Sequence, residues 1–445
     1  MFSGDSRSPS GCPLGRHPLH SLGALDQIVQ SPRRHSPRRR MTPPNTGFVG
    51  DLSAAGDSVS RQILRLIATG DATNKAEIVR RTGLARSTVT DHLNRLESAG
   101  LVVEAGSAMA VGRGRPPRVL ALSDAAGVVL AADVGTTKTT VAVADINRRI
   151  LDQRTIACPL ADGPNAALHI IGTAFENMLG DTVSAGTRIQ AMAMGLPSPV
   201  DTAGGRPIHP PLMPGWDRYP VAETLAERFA THVILDNDVN LMAIGETSAT
   251  SNAPIPLLLL HISDGIGCGI ITSNGELLRG ADGAAGDVGH LRSHGHDDTV
   301  CRCGNVGCIE SVASVTAIEH KLRERLSDQE FPPDATLVAL VKEGNPLALN
   351  EVRRAAMEIG EIAVTLVHTF NPASLILSGP LAEASDDLLS GVRAMVYRRA
   401  LPLATRALHI GTSALGEQAG IRGAFGWRLS MSSPHRSPEY ARQSS

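Results

Sequence analysis

The stretch 280–310, GADGAAGDVGHLRSHGHDDTVCRCGNVGCIE, constrains the fold more than any other. Cys301, Cys303 and Cys308 fall within eight positions, with Gly304 and Gly307 between them. Glycine lets a backbone curl tightly enough for closely spaced thiolates to face one point. Half of the six cysteines sit here, while Cys12, Cys158 and Cys268 are scattered. Tetrahedral zinc asks for a fourth ligand, and His290, His294 and His296 lie just upstream. The competing reading is a glycine-rich loop with free thiols or a disulfide. No basic n-region followed by an apolar h-region opens the chain, so a disulfide is not expected. The ligand types and their spacing predict a Cys3His zinc knuckle.

The same residues carry a family resemblance. GADGAAGDVGH followed by CRCGNVGCIE resembles the signature of the ROK family of repressors, uncharacterised reading frames and sugar kinases. The resemblance implies that His290 ligates zinc and also touches sugar. It implies that Asp287 and Glu310 contact sugar hydroxyls. Two departures stand out. Asp287 replaces the usual Glu and reaches one methylene less far. The gap from His290 to Cys301 is one residue longer than usual, which keeps His294 and His296 open as substitute ligands.

A chain of 445 residues is long enough for two or three domains. Aromatics make up only 3%, so the core must be built from Ala, Val, Leu and Ile. The longest aliphatic run, at 256–262, is far short of the roughly 20 residues that cross a bilayer. These features point to the cytoplasm and away from a membrane. The net charge of -2 hides an asymmetry: residues 1–123 carry 17 Lys and Arg against 9 Asp and Glu, leaving 25 against 35 for the rest. A basic head on an acidic body suggests that only the head meets nucleic acid.

Residues 1–56 are rich in Ser, Pro, Gly and Arg without an apolar period, and read as a disordered tail. Met41 is a second candidate start. Residues 57–123 read as a winged helix-turn-helix. Ile63, Leu64, Ile67 and Ala68 form a helical stripe, and Asn74 with Glu77 three positions on marks the start of a second helix ending near Thr82 and Gly83. A third helix opens at Ser87 and turns Val89, Leu93 and Leu96 inward. That leaves Arg86, Ser87, Thr88, Thr90 and Asn94 facing out, where short polar side chains suit major-groove entry. Two strands follow, around 101–103 and 119–122. The loop VGRGRPPR between them presents Arg113, Arg115 and Arg118 as a wing for phosphates or the minor groove. The arrangement resembles the head of ROK repressors such as those of N-acetylglucosamine and xylose operons.

Residues 124–429 read as an α/β, bilobal, actin-like (ribonuclease H-like) domain, followed by a polar tail at 430–445. The strand 127–132 runs into Asp133, Gly135, Thr136, Thr137 and Lys138 and returns as a hairpin. Backbone N–H groups and hydroxyls in such a turn can cradle phosphates, and Asp133 could hold hydrated magnesium. The turn resembles the first phosphate motif of actin-like sugar kinases, with Thr136 in place of a glycine. A second hairpin carries Gly265 and Gly267, but Ser263 and Asp264 replace Gly and Thr of the ROK kinase pattern. A carboxylate aimed at triphosphate costs on the order of 1 kcal/mol or more. The adenosine-side segment also departs, with Ser378-Gly379-Pro380 where paired glycines are usual. Three altered segments predict weak or absent use of Mg-ATP.

The sugar side is closer to the family. Gly195 to Asp201 and Pro214 to Asp217 resemble its G-x-P-G-P-V-D and P-G-W segments. Asn237 matches a sugar-binding residue, and Asp238 the general base of the kinases. By themselves, Asn and Asp before a helix would read as an N-cap. Helices are expected near 313–326, 346–370 and 414–428, the last returning to the first lobe. The expected function is a sugar-responsive DNA-binding regulator with operator DNA as partner, acting as a homodimer or homotetramer. The alternatives are an ATP-dependent hexose kinase with a DNA-binding head and a regulator answering to a protein partner.

Overall fold

The computed structural model describes residues 58–107, 118–123, 126–249, 254–326, 331–332 and 335–430. The expected tail at 1–56, all but Ser430 of the one at 430–445, and the wing with Arg113 and Arg115 lie outside the described residues.

The head consists of α1 (Ser58–Thr69), α2 (Lys75–Thr82), α3 (Arg86–Ser98) and the antiparallel strands β1 (Val102–Ser107) and β2 (Arg118–Leu122). Ile63 and Ile67 meet Ile78, Val89, Leu93 and Leu96 in one core. Asn74 caps α2 by accepting the Glu77 N–H at 3.0 Å, and Glu77 accepts the Thr73 N–H at 2.7 Å. Gly83 ends the helix at φ 69, a left-handed conformation that costs a Cβ-bearing residue far more. Helix α3 starts at Arg86, one residue before the expected Ser87, because Ala85 is the last extended residue. No side chain caps it. His92, unremarked in the sequence, is buried with Nδ1 2.7 Å from the Ser60 hydroxyl and ties α3 to α1.

The first lobe begins with β3 (Val128–Val134), β4 (Lys138–Asp145) and β5 (Ile150–Ala157). It continues through α4 (Pro164–Thr182), β6 (Ile189–Leu196), the short pair β7 (Val200–Asp201) and β8 (Arg206–Pro207), α5 (Val221–Phe229), β9 (Val233–Asn237) and α6 (Asp238–Ala249). Its sheet runs β5-β4-β3-β6-β9, with β4 antiparallel to β3 and β5. That is the ribonuclease H-like order. The second lobe contains β10 (Leu257–Ile262), β11 (Ile266–Ile271), α7 (Ile309–Ala313), α8 (Val315–Arg325), α9 (Leu337–Lys342) and α10 (Pro346–Phe370). Then come β12 (Ser374–Ser378), α11 (Pro380–Ala384), α12 (Asp386–Arg399), α13 (Pro402–Thr405) and β13 (His409–Thr412). Its sheet, β11-β10-β12-β13, repeats the same plan without a third strand in the opening meander. Where that strand would stand, the chain leaves the sheet and forms the cysteine loop.

The final helix, α14 (Ala419–Ser430), crosses back to the first lobe as expected and packs on α6 and β3. It starts later than residue 414 because Gly416 holds φ 52, outside the right-handed helical region, while the buried Glu246 carboxylate accepts the N–H groups of Ala414 and Leu415 ahead of it. Ala131, Ala142, Ala144, Ala191 and Ala193 form a flat inner sheet face for α6 and α14. Larger Leu130, Met192, Met194 and Phe175 fill the opposite face. This alternation is how a core so poor in aromatics closes.

The head rests on the turn between β4 and β5. Ile146 packs against the head core. The Asn147 amide donates to the Leu122 carbonyl at 3.1 Å, and the Arg148 guanidinium donates to the Ala68 carbonyl at 3.3 Å. Ala68 lies in the last turn of α1, where carbonyls lack helical partners and a cation is favoured. Arg148 holds φ 68, unusual for a residue with a side chain. Replacing it with Ala should remove about 1 kcal/mol from the docked state. Amide exchange across 58–69 should then accelerate about fivefold, while exchange in β3 stays unchanged; equal protection of α1 in both proteins would show that this contact does not hold the head.

Candidate functional site

The two lobes enclose a cleft of about 600 Å³. Asn237, Asp238, Asp287, His290 and Glu310, the residues expected to touch sugar, all line it. The other expected residues, Asp133, Gly135, Thr137, Lys138, Gly265 and Gly267, line the same space. The two ends of the cysteine loop, His290 and Glu310, therefore reach the cleft.

Topology explains the convergence. β3, β6 and β9 are parallel and deliver the Asp133 turn, Pro197–Pro199 and Asn237 to one edge of the first sheet. β10 and β12 do the same for the second. Ligands gather where the carboxyl ends of such strands open into a crevice. α6 begins at Asp238, so its N-terminus points there too.

Asn237 is both an N-cap and a strut. Its Oδ1 accepts the Val239 N–H at 3.0 Å, and its Nδ2 donates to the Ser198 carbonyl at 3.1 Å. The capping expected from sequence is thus present, in a residue that also lines the cleft. Beside it, Asp236 is buried, and Arg279 donates to it at 2.7 and 3.2 Å. This pair ties the loop leading to Asp287 onto the first lobe. Nothing in the sequence marked Arg279, because its partner stands 43 positions away.

Several carboxyls lining the cleft are raised. Burial, then the facing Asp133, raises Asp238 to about 8. Burial, then Glu417, raises Asp133 to about 6. Glu310 is also pushed up by burial, partly offset by the Ile266 N–H, which it accepts at 3.1 Å. A carboxyl near 8 can give or take a proton at a sugar hydroxyl near neutral pH.

The phosphate-side hairpins meet directly. The Thr136 hydroxyl donates to one oxygen of Asp264, and the Thr316 hydroxyl donates to the other at 3.2 Å. The sequence marked Thr136 and Asp264 as departures from a kinase pattern, not as partners. Across the cleft, Lys138 pairs with Glu417 at 3.1 Å.

His290, Cys301, Cys303 and Cys308 bring one ligand atom each within 4.8 Å of one another. Cys301 Sγ lies 3.7 Å from His290 Nδ1, and Cys303 Sγ lies 3.7 Å from Cys308 Sγ. A tetrahedral ion with metal–sulfur bonds of about 2.3 Å has sulfur–sulfur edges of about 3.8 Å. The group therefore fits a four-coordinate metal ion. The two other histidines stand apart from it: His296 faces Glu358 at 3.4 Å, and His294 is exposed. Between His290 and Cys301, Arg292 pairs with Asp297 at 2.5 Å. The other ring nitrogen of His290, Nε2, lies 3.8 Å from Asp287, so one imidazole serves both the cluster and the cleft.

On the head, Arg86, Ser87 and Asn94 are exposed, and Thr88 and Thr90 are half-buried on α3. The Thr90 hydroxyl is already spent on the Arg86 carbonyl at 2.6 Å. Arg118, at the base of the wing, pairs with Glu104 at 3.3 Å.

Comparison with known proteins separates the two parts. Residues 129–430 match a family model described as ROK family, and residues 57–103 match one described as winged helix-turn-helix DNA-binding. A putative xylose repressor of Caldicellulosiruptor sp. is 26% identical over 380 residues, covering 83% of this chain and 94% of that protein. A glucokinase of Halalkalibacterium halodurans is 28% identical over 308 residues, covering 66% and 92%. A crystal structure of a ROK family transcriptional regulator, homolog of the E. coli MLC protein, shares the fold at a TM-score of 0.70. It is 22% identical and the match covers 84% of this chain and 97% of that one. Among the described residues, no helix is long and apolar enough to cross a membrane.

The raised Asp238 predicts a pH dependence. Its folded state keeps a proton that the unfolded chain releases near 3.8, so the stability it contributes is full below that value and is lost as pH rises to about 8. Asp238→Asn should therefore gain on the wild type in chemical denaturation as pH climbs from 4 to 8, then run parallel above 8. A constant difference across that range would contradict the shift.

Proposed function

The chain belongs to the ROK family, and from that premise we propose that it is a sugar-responsive transcription regulator, a repressor of carbohydrate genes. The observation that carries this reading is the convergence of Asn237, Asp238, Asp287, His290 and Glu310 on one cleft, in a body that carries a winged helix-turn-helix. A sugar bound there would bias closure of the lobes. In a homodimer or homotetramer, closure would change the spacing of paired heads and their fit to operator half-sites about one helical turn apart. Arg86, Ser87, Thr88 and Asn94 would meet bases or phosphates, with Arg113 and Arg115 on the wing. Thr90 would act through its methyl group or as an acceptor, since its hydroxyl proton is given to Arg86.

An ATP-dependent hexose kinase is the second reading, and Asp238 is the observation that favours it. A base raised to about 8 at the cleft floor suits proton removal from a sugar hydroxyl. Against it stands Asp264, a carboxylate facing the space where phosphates would lie. Thermal-shift screening against xylose, glucose and N-acetylglucosamine should raise the melting temperature with at least one sugar, and the same sugar should release the protein from selected DNA. Incubation with Mg-ATP and those sugars should yield no phosphorylated product. Robust turnover would replace the regulator reading with the kinase one.

The four-ligand group is best read as a structural zinc site. Zinc, when bound, would stabilise the thiolates and hold the loop closed; the chain's own contribution is to aim His290 and Glu310 into the cleft. Burial pushes the Cys308 thiol up to about 12, a penalty that a dication removes. Metal analysis should find about one zinc per chain, and Cys303→Ser should lose it. Zinc-free wild-type protein would refute the assignment.

A further inference from the structure

Two of the residues that depart from the phosphate motifs are bonded to each other. Thr136 sits in the β3–β4 turn of the first lobe and Asp264 in the β10–β11 turn of the second, 128 positions apart. The Thr136 hydroxyl donates to one carboxylate oxygen, and the Thr316 hydroxyl, from within the second lobe, donates to the other at 3.2 Å. Neither change makes this contact alone. A glycine at 136 would have no hydroxyl to give, and a threonine at 264 would carry no charge and no second oxygen to receive Thr316.

Geometry gives the pair a role. A nucleotide bound between two such turns would bridge the lobes through its phosphates, because backbone N–H groups of both turns would face it. Here the bridge is a pair of side chains. A hydroxyl donating to a carboxylate is a charge-assisted hydrogen bond, stronger than a neutral one. Thr316 fixes the carboxylate plane, so Asp264 reaches Thr136 in one orientation. The pair stands in the same cleft as Asn237, Asp238 and His290, so holding the turns together holds the two halves of that cleft together.

We propose that Thr136, Asp264 and Thr316 form a clasp that keeps the lobes in register without a nucleotide, and so act as positioning residues for the sugar site. This rests on the reading of the cleft as a sugar site. The clasp makes the protein answer to sugar alone: the chain itself limits how far the lobes part, and sugar supplies the remaining closure without a second ligand. Preorganisation of this kind raises apparent affinity, because the sugar has less of the closing equilibrium left to shift.

The test is a distance measurement on the full chain, with spin labels attached to p-acetylphenylalanine placed at the exposed positions 223 on the first lobe and 343 on the second. Wild type and Thr136→Ser, which keeps the hydroxyl, should share one short distance in the absence of sugar. Thr136→Val, which keeps the shape and removes the donor, should give a longer and broader distribution. A valine variant indistinguishable from wild type overturns the clasp, and does so without touching the sugar reading, since no sugar is present. The second arm uses whichever of xylose, glucose or N-acetylglucosamine raises the melting temperature. Its affinity should fall about tenfold in Thr136→Val and be restored in Thr136→Ser. Unchanged affinity in a valine variant whose lobes have parted would overturn the positioning role.

Discussion

Helices α6 and α14 cross backbone against backbone between the two sheets, and the cleft takes its shape from that crossing. Gly245 and Gly423 make it possible: a Cβ at 245 would collide with the Ala419 carbonyl, and one at 423 with the Leu241 carbonyl. The alanine-lined sheet faces bring the helices close enough to need this. With the crossing fixed, the first residue of α6 is Asp238 at the cleft floor, and the turn before α14 presents Glu417 at the cleft wall. Gly420 is part of the same arrangement, since a Cβ there would strike the Asp133 carboxylate. The last segment of the chain thus closes the site that the first strands of the domain open.

The carboxylates around this cleft divide by what they are given. Asp236 is buried but receives Arg279, and Asp264 receives two hydroxyls. Asp238 and Asp133 face each other, no Lys or Arg among the described residues offsets either, and both are raised. Burial and like charge act in the same direction there. Lys138, which a triphosphate would need, is turned to Glu417. Such a lining suits uncharged hydroxyl groups, which can accept a proton from a neutral carboxyl or donate to an ionised one. A polyphosphate would add its charge to that of the wall and would need a counter-cation there.

Much of this was legible in the sequence, for stated physical reasons. The cysteine spacing forces a tight loop, the hairpins announce themselves by strands returning after a glycine turn, and the helical stripe of α3 fixes its inward face. Asn237 and Asp238 could be placed before a helix from local pattern alone. What sequence could not supply is pairing over distance. Asp264 reads as a repulsive substitution until Thr136 is seen to answer it. Arg279 reads as a loop residue until it reaches Asp236. The start of α14 could not be placed because the positive φ of Gly416 interrupts the segment, in a turn tied by Glu246 from another helix. The choice among His290, His294 and His296 was likewise a question of space, decided when Glu358 on α10 took His296.

Head and cleft share a single strand. β4 begins at Lys138, on the cleft wall, and ends at Asp145, one residue before the turn that grips the head. It is paired along its length with β3 on one side and β5 on the other. A strand hydrogen-bonded on both edges cannot bend locally without breaking ladder bonds, so its two ends move as one body. Any rotation of the first lobe that alters the cleft is therefore carried to Ile146, Asn147 and Arg148, and from there to α1 and β2 of the head. The strained φ of Arg148 belongs to this logic, because a relaxed turn would carry its guanidinium away from the end of α1. The head is thereby attached to a strand whose far end lines the cleft.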